Sequence, residues 1–279
     1  MATHDDTTTL RDRIGIALRL DDDIPTLLEW AGANGIRVLD FHLDDRGPDP
    51  AAYSAETVEA IGSVTEEYGI DFGLHALSAV NTAETEPIVG EAVEDYLIAY
   101  IDLAAHLGAE YVVHHPGFHF TEDRDERLAT AIERLRTAGE YARENDVKLT
   151  CCNMNPEPAD SEIDYLGSTL EECQRIANEI PAGAQYWAFN APHAHLTDAG
   201  IDGFIDGLDA DRIGLVRLND NRGEREEHLA IGEGTIDFER TVHRLERSGF
   251  DGHYIIAYGS NEDMLEERET LLDLVGPVN

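Results

Sequence analysis

Short apolar runs recur along the chain, most of them introduced by Gly or Asp and followed by a segment with helical periodicity. Eight such runs read as strands, at 13–17, 37–41, 71–75, 110–115, 148–152, 184–189, 213–218 and 253–257. They are near-continuous rather than alternating, as strands covered on both faces should be. Between them, Ile24, Leu27, Leu28 and Ala31 fall at i, i+3, i+4 and i+7, as do Val89, Ala92, Val93 and Tyr96 in a helix reaching about Leu107. Leu128, Ile132 and Leu135 mark another. Thr169-Leu170-Glu171-Glu172 supplies a polar cap and early acids, and Gly35, Gly69, Gly108 and Gly249 stand where helices end.

Eight strand–helix alternations predict a single (β/α)8 TIM barrel over residues 13–279, preceded by a polar, flexible start at 1–12. An open doubly wound sheet is the competing arrangement. The turn after the first strand, Leu18-Arg19-Leu20-Asp21-Asp22, carries no Gly-rich dinucleotide fingerprint.

Composition changes this picture in one respect. Acidic residues outnumber basic ones 58 to 20 over 279 residues, a net charge of -38, and Lys148 is the only lysine. Such a surface repels itself at low ionic strength and is screened in molar salt. The expected setting is a high-salt cytoplasm. Three cysteines make no disulfide framework, the N-terminus has no signal-peptide pattern, and no apolar run is long enough to span a membrane.

Barrel active sites lie at the C-terminal ends of the strands. His75, His114, His115, His193, His195 and His228 all fall there on this reading. A single strand-end histidine usually packs or hydrogen-bonds; several on one rim point to a site. Phe118, Phe120 and Trp187 read as core more than as a sugar-stacking wall. The stretch after Asn153, through about Gly167, reads as a long loop of the kind that covers a ligand.

Four segments carry a resemblance: Gly73-Leu74-His75-Ala76, the His115-Pro116-Gly117 turn, Asn190-Ala191-Pro192-His193-Ala194-His195, and the loop from Asp220 to Gly234. Together they resemble the xylose-isomerase-like TIM barrels, a superfamily of sugar isomerases, sugar epimerases and endonuclease IV-type nucleases. The resemblance implies metal sites at the mouth. The four positions of the isomerase and epimerase site are here Cys152, Asn190, Arg217 and Ala257, all departing from the family pattern. In the trinuclear nucleases one further site uses two histidines and an acid, and His193, Glu226 and His228 stand in those places.

Two arrangements follow. In one, zinc is held by His193, Glu226 and His228, or by His75, His115 and Cys152. In the other the central site is metal-free, Arg217 takes the space of the cation and binds an anionic group, and histidines and Asp220 hydrogen-bond hydroxyls. No metal is expected among Cys152, Asn190, Arg217 and Ala257. His75, His115, Cys152, Asn190, Arg217 and Asp220 are the ligand-binding candidates.

The resemblance implies a sugar or sugar-phosphate isomerase or epimerase acting on, or binding, a small polyhydroxylated ligand. A non-catalytic binding barrel and a divergent endonuclease IV-like zinc hydrolase are the alternatives. Nucleic acid is disfavoured by the absence of a basic groove. Self-association into a homo-oligomer is left open.

Overall fold

The computed structural model describes residues 9–19, 23–43, 47–120, 122–257 and 259–277. Eight parallel strands close into a barrel: β1 Ile14–Arg19, β2 Val38–His42, β3 Asp71–His75, β4 Tyr111–His114, β5 Lys148–Cys152, β6 Tyr186–Asn190, β7 Ile213–Leu218 and β8 His253–Ile256. Each strand pairs with its sequence neighbours. The ring closes where Ile14, Gly15 and Ile16 of β1 register with Tyr254, Ile255 and Ile256 of β8. That pairing excludes the open sheet.

The apolar pattern ends β1 and β2 too early. Pairing continues through Leu18 and Arg19 in one and His42 in the other, with Arg19 opposite His42 and His42 opposite His75. Polar side chains can stay in a strand here because they face the barrel mouth rather than the helices. Of the first twelve residues, 1–8 lie outside the described residues and Leu10–Arg13 form a short helix capped at Thr9. Leu20, Asp21 and Asp22 of the turn after β1 likewise lie outside them.

Strand alternation divides the interior in two. One face of each strand packs with the helices in the main core; Leu39, Phe41, Leu74 and Phe189 belong to it. The other face fills the barrel with a smaller apolar cluster that includes Val38, Tyr111, Val113, Leu215 and Ile255. Gly73 makes room there, since a Cβ at that position would stand 2.0 Å from the Tyr111 ring. The helices begin and end as their caps dictate. Thr169 accepts from the Glu172 N–H, and Gly69, Gly108 and Gly249 close their helices with left-handed φ angles of 62°, 77° and 91°.

The N-terminal end of the barrel is closed by charged groups. Lys148 Nζ lies 2.6 Å from Glu110 Oε1, and His253 Nε2 lies 2.9 Å from Glu110 Oε2. Among the described residues no helix is long and apolar enough to cross a membrane.

Candidate functional site

The C-terminal ends of the strands surround a cleft of about 1010 Å³. His75, His115, His193, Arg217 and His228, drawn from four different strand ends and the loop after β7, all line it. So do Cys152, Asn190 and Ala257.

The floor is organised by one guanidinium. Arg217 extends from β7 across the barrel and its Nη1 donates to Oδ2 of Asp40 on β2. The same Nη1 is 3.1 Å from His75 Nδ1, and Nη2 is 3.4 Å from His42 Nε2. His75 Nδ1 also lies 3.3 Å from Asp40 Oδ2, and the His42 and His75 rings stack with centroids 4.2 Å apart. Asp40 is fully buried, and burial opposes its ionisation. Arg217 and His75 outweigh that cost and hold its carboxyl well below the usual carboxylate range. Burial and the neighbouring His75 push the His42 imidazole down to about 2, so this ring is neutral. His115 is likewise pushed well below the ordinary histidine value, first by burial and then by His75.

The wall is built around Glu226. Its Oε1 is 2.8 Å from His193 Nε2 and 3.0 Å from His228 Nε2. Burial opposes the charge on Glu226, but the two imidazoles hold its carboxyl well below the ordinary range, and the bond to Glu226 raises His228. His193 is aimed by its surroundings. Asn190 ends β6 and caps the short helix Ala191–His195, accepting from the His193 N–H at 3.3 Å. His193 Nδ1 donates to the Asn153 carbonyl at 2.8 Å. The other ring nitrogen, Nε2, faces Glu226 Oε1 and also lies 3.3 Å from Asn190 Nδ2. His228 adopts φ 49°, a left-handed conformation uncommon outside glycine, and lines the cleft.

Several expected residues fall elsewhere. Asp220, read as a ligand-binding residue, is fully buried and absent from the cleft lining. Its Oδ1 accepts from the N–H groups of Asn221 at 2.8 Å and Ile236 at 3.2 Å, and its Oδ2 from Gly232 at 3.1 Å and Gly234 at 2.8 Å. With its lone pairs engaged by the backbone, Asp220 shapes the loop instead of meeting a ligand. Gly234 is required beside it, because a Cβ there would stand 2.2 Å from Asp220 Oδ1. His114 faces away from the cleft; its Nδ1 donates to the His115 carbonyl at 3.1 Å and burial lowers its value to about 4. His195 turns to Thr235 Oγ1 at 2.9 Å. Trp187 is core, Phe120 is exposed beside Arg127, and Phe118 alone of the three aromatics lines the cleft. The long loop after β5 is pinned over the opening by a two-residue ribbon, Phe118–His119 against Asp164–Tyr165, and contributes Met154, Asn155 and Tyr165 to the lining. Asp40 and His42 are the members of the cleft-floor cluster that apolar periodicity missed.

The central positions do not suit a divalent cation. Burial pushes the Cys152 thiol up to about 12, so it is not a thiolate. The Asn190 Oδ1 is taken by the His193 N–H, Ala257 has no donor atom, and Arg217 is itself a cation. Among the described residues, Asp40–His42–His75 and Asp71–Glu110–His253 are the trios whose ligand atoms come within 4.8 Å of one another. Neither His75–His115–Cys152 nor His193–Glu226–His228 is among them. The last set does have zinc-type donors gathered on one carboxylate.

The profile of the family described as xylose isomerase-like TIM barrel matches residues 27–274. An uncharacterised protein of Methanocaldococcus jannaschii is 26% identical over 236 residues, covering 81% of this chain and 77% of its own. A probable endonuclease 4 of Staphylococcus saprophyticus is 29% identical over 182 residues, covering 60% of this chain and 58% of its own. Among solved structures, a D-tagatose 3-epimerase-like protein superposes with TM-score 0.79 at 23% identity, covering 94% of this chain and 97% of the other. Endonuclease IV from Thermus thermophilus superposes with TM-score 0.71 at 21% identity, covering 94% and 98%.

Proposed function

The chain belongs to the xylose isomerase-like TIM barrel family, and on that premise we propose that it binds a small polyhydroxylated, carbohydrate-like ligand and moves a proton on it, as an isomerase or epimerase does. The observation that carries this reading is the pairing, in one cleft, of a fixed guanidinium floor with a carboxylate held between two imidazoles. Arg217 and the neutral rings of His42 and His115 present hydrogen-bonding groups to carbonyl and hydroxyl oxygens. Glu226, steadied by His193 and His228, is the carboxylate we assign to take a proton from the carbon next to a polarised carbonyl and to return it. Solved epimerase structures of the same fold are consistent with a ligand of this size. His193, Glu226 and His228 are the residues that would hold a zinc, which when bound supplies Lewis-acid polarisation of a ligand oxygen. The acid-rich surface suits a high-salt cytoplasm, where the repulsion from a charge of -38 is screened.

A second reading has its own support. Probable endonuclease 4 sequences are among the relatives, and the His193–Glu226–His228 set is complete. The charge of -38 counts against a phosphate-backbone groove. A non-catalytic binding barrel is the third, motivated by the substituted positions Cys152, Asn190, Arg217 and Ala257.

The deciding experiment incubates the protein with a panel of ketoses and aldoses in D2O at molar KCl and follows the sugars by NMR, alongside an abasic duplex. Deuterium entering at the carbon next to the carbonyl is expected, and a Glu226→Gln variant should lose it by at least about 100-fold. Sugar binding without exchange would leave a binding barrel. Duplex cleavage without exchange would establish the nuclease reading.

A further inference from the structure

Arg217 does more than fill a space. Asp40 Oδ2, His75 Nδ1 and His42 Nε2 converge on its guanidinium from two adjacent strands, and the three residues offer ligand atoms within 4.8 Å of one another. Two imidazoles and a carboxylate are a donor set that takes transition-metal cations. The second carboxylate oxygen, Asp40 Oδ1, is buried and has no hydrogen-bond partner, so the anion is incompletely satisfied even with Arg217 in place. We propose that Asp40, His42 and His75 form a three-donor cation site in the barrel floor whose resident cation is the covalently attached guanidinium of Arg217, and that removing it converts the floor into a divalent-metal site.

The dimensions support this. Donor atoms bound at about 2.0–2.1 Å around a tetrahedral zinc stand about 3.3 Å apart. His75 Nδ1 and Asp40 Oδ2 already have that spacing at 3.3 Å, while His42 Nε2 is 3.9 Å from Asp40 Oδ2. The trio is spaced for a planar guanidinium; the His42 and His75 rings stack 4.2 Å apart with planes 19° from parallel, so closing on an ion requires one ring to rotate once Arg217 is gone. The guanidinium excludes that ion twice, by its charge and by occupying the space between the donors. Its positive charge also cannot be removed by a chelator or exchanged for another metal. None of this depends on which ligand the cleft binds.

The test compares zinc uptake by the wild type, Arg217→Ala and the double variant Arg217→Ala, Asp40→Asn, by elemental analysis after dialysis and by calorimetric titration. Other histidine clusters are common to all three, so the difference is what matters. Arg217→Ala is expected to bind one equivalent more than the wild type, and zinc should raise its melting temperature but not that of the wild type. The extra equivalent should vanish in the double variant. No additional equivalent in Arg217→Ala, or one that survives Asp40→Asn, overturns the proposal. If Arg217→Ala folds only when zinc is present, that rescue supports it; failure to fold with zinc, while the double variant folds, overturns it.

Discussion

The two ends of the barrel use the same chemical parts in different settings. At the C-terminal mouth a carboxylate, Asp40, is paired with Arg217 and with histidines His75 and His42. At the opposite end a carboxylate, Glu110, is paired with Lys148 and His253. Asp40 and Arg217 have side chains 0% and 7% exposed, whereas Glu110 and Lys148 are 32% and 44% exposed. Water can replace either partner at this exposed N-terminal end. At the mouth it cannot, so each buried charge depends on the other. The comparison separates a charge arrangement that the fold must keep from one it can exchange.

The strongest way to break this contrast is to neutralise each carboxylate. Asp40→Asn leaves a buried guanidinium without its counter-ion and is expected to cost about 3–5 kcal/mol. Glu110→Gln acts on a solvent-accessible pair, where water screens much of the attraction that lowers the Glu110 value, and should cost about 1 kcal/mol or less. Urea denaturation of both variants measures the two values. Equal losses would erase the distinction between the ends.

Acid titration sharpens it. An unfolded histidine takes up its proton near 6.5, but His114, buried behind the mouth, does so only near 4. Between those values the unfolded chain holds the extra proton, so His114 lowers stability as pH falls from 6.5, by about 1.4 kcal/mol per pH unit. Glu110 behaves differently. Burial opposes its charge, His253 and Lys148 outweigh it, and its value falls from 4.5 to about 2. The stability it contributes is present above 4.5 and is lost only as pH drops below that toward 2. Stability measured from pH 7 to 5 should therefore decline in the wild type and decline less in His114→Gln, with Glu110→Gln unaltered in slope. Its effect should enter below 4.5.

How much of this was visible beforehand depends on what each residue does to the apolar pattern. The barrel was legible because strands covered on both faces leave near-continuous apolar runs, and all eight lie within a few residues of where those runs fall. Arg217, Asn190 and Cys152 stood out as departures from a family pattern, and the structure brings them to one cleft. Asp40 and His42 stayed hidden because Val38-Leu39-Asp40-Phe41-His42 reads as an ordinary strand. The available signal was the period of two: Val38, Asp40 and His42 share a face, and a carboxylate on the inward face of a closed barrel must have a cation. Asp220 misled in the opposite sense. A carboxylate in a loop beside a site resembles a ligand-binding group until the four backbone N–H groups around it are seen.

Salt gives the smallest and most discriminating effect. A double-mutant cycle on Glu110 and Lys148 should show about 0.5–1 kcal/mol of coupling at low ionic strength and almost none in molar KCl. The coupling of Asp40 to Arg217 should be the same in both, since ions do not reach it. The melting midpoint of the whole chain should rise with KCl as the charge of -38 is screened. An unchanged midpoint would remove the high-salt reading.

The knot at Asp220 bears on how such a protein can change over generations. One carboxylate ties down the N–H groups of residues 221, 232, 234 and 236, and Asp220 and Leu229 exchange a pair of 2.8 Å backbone hydrogen bonds. The foot of the loop is thus fixed without help from its tip, which carries Glu226 and His228. Substitutions between Arg222 and His228 are therefore expected to alter the chemistry presented to the cleft while leaving the hydrogen bonds at the foot of the loop in place. A foot held in this way would let the tip act as an exchangeable cassette, open to new reactivity at small cost to folding.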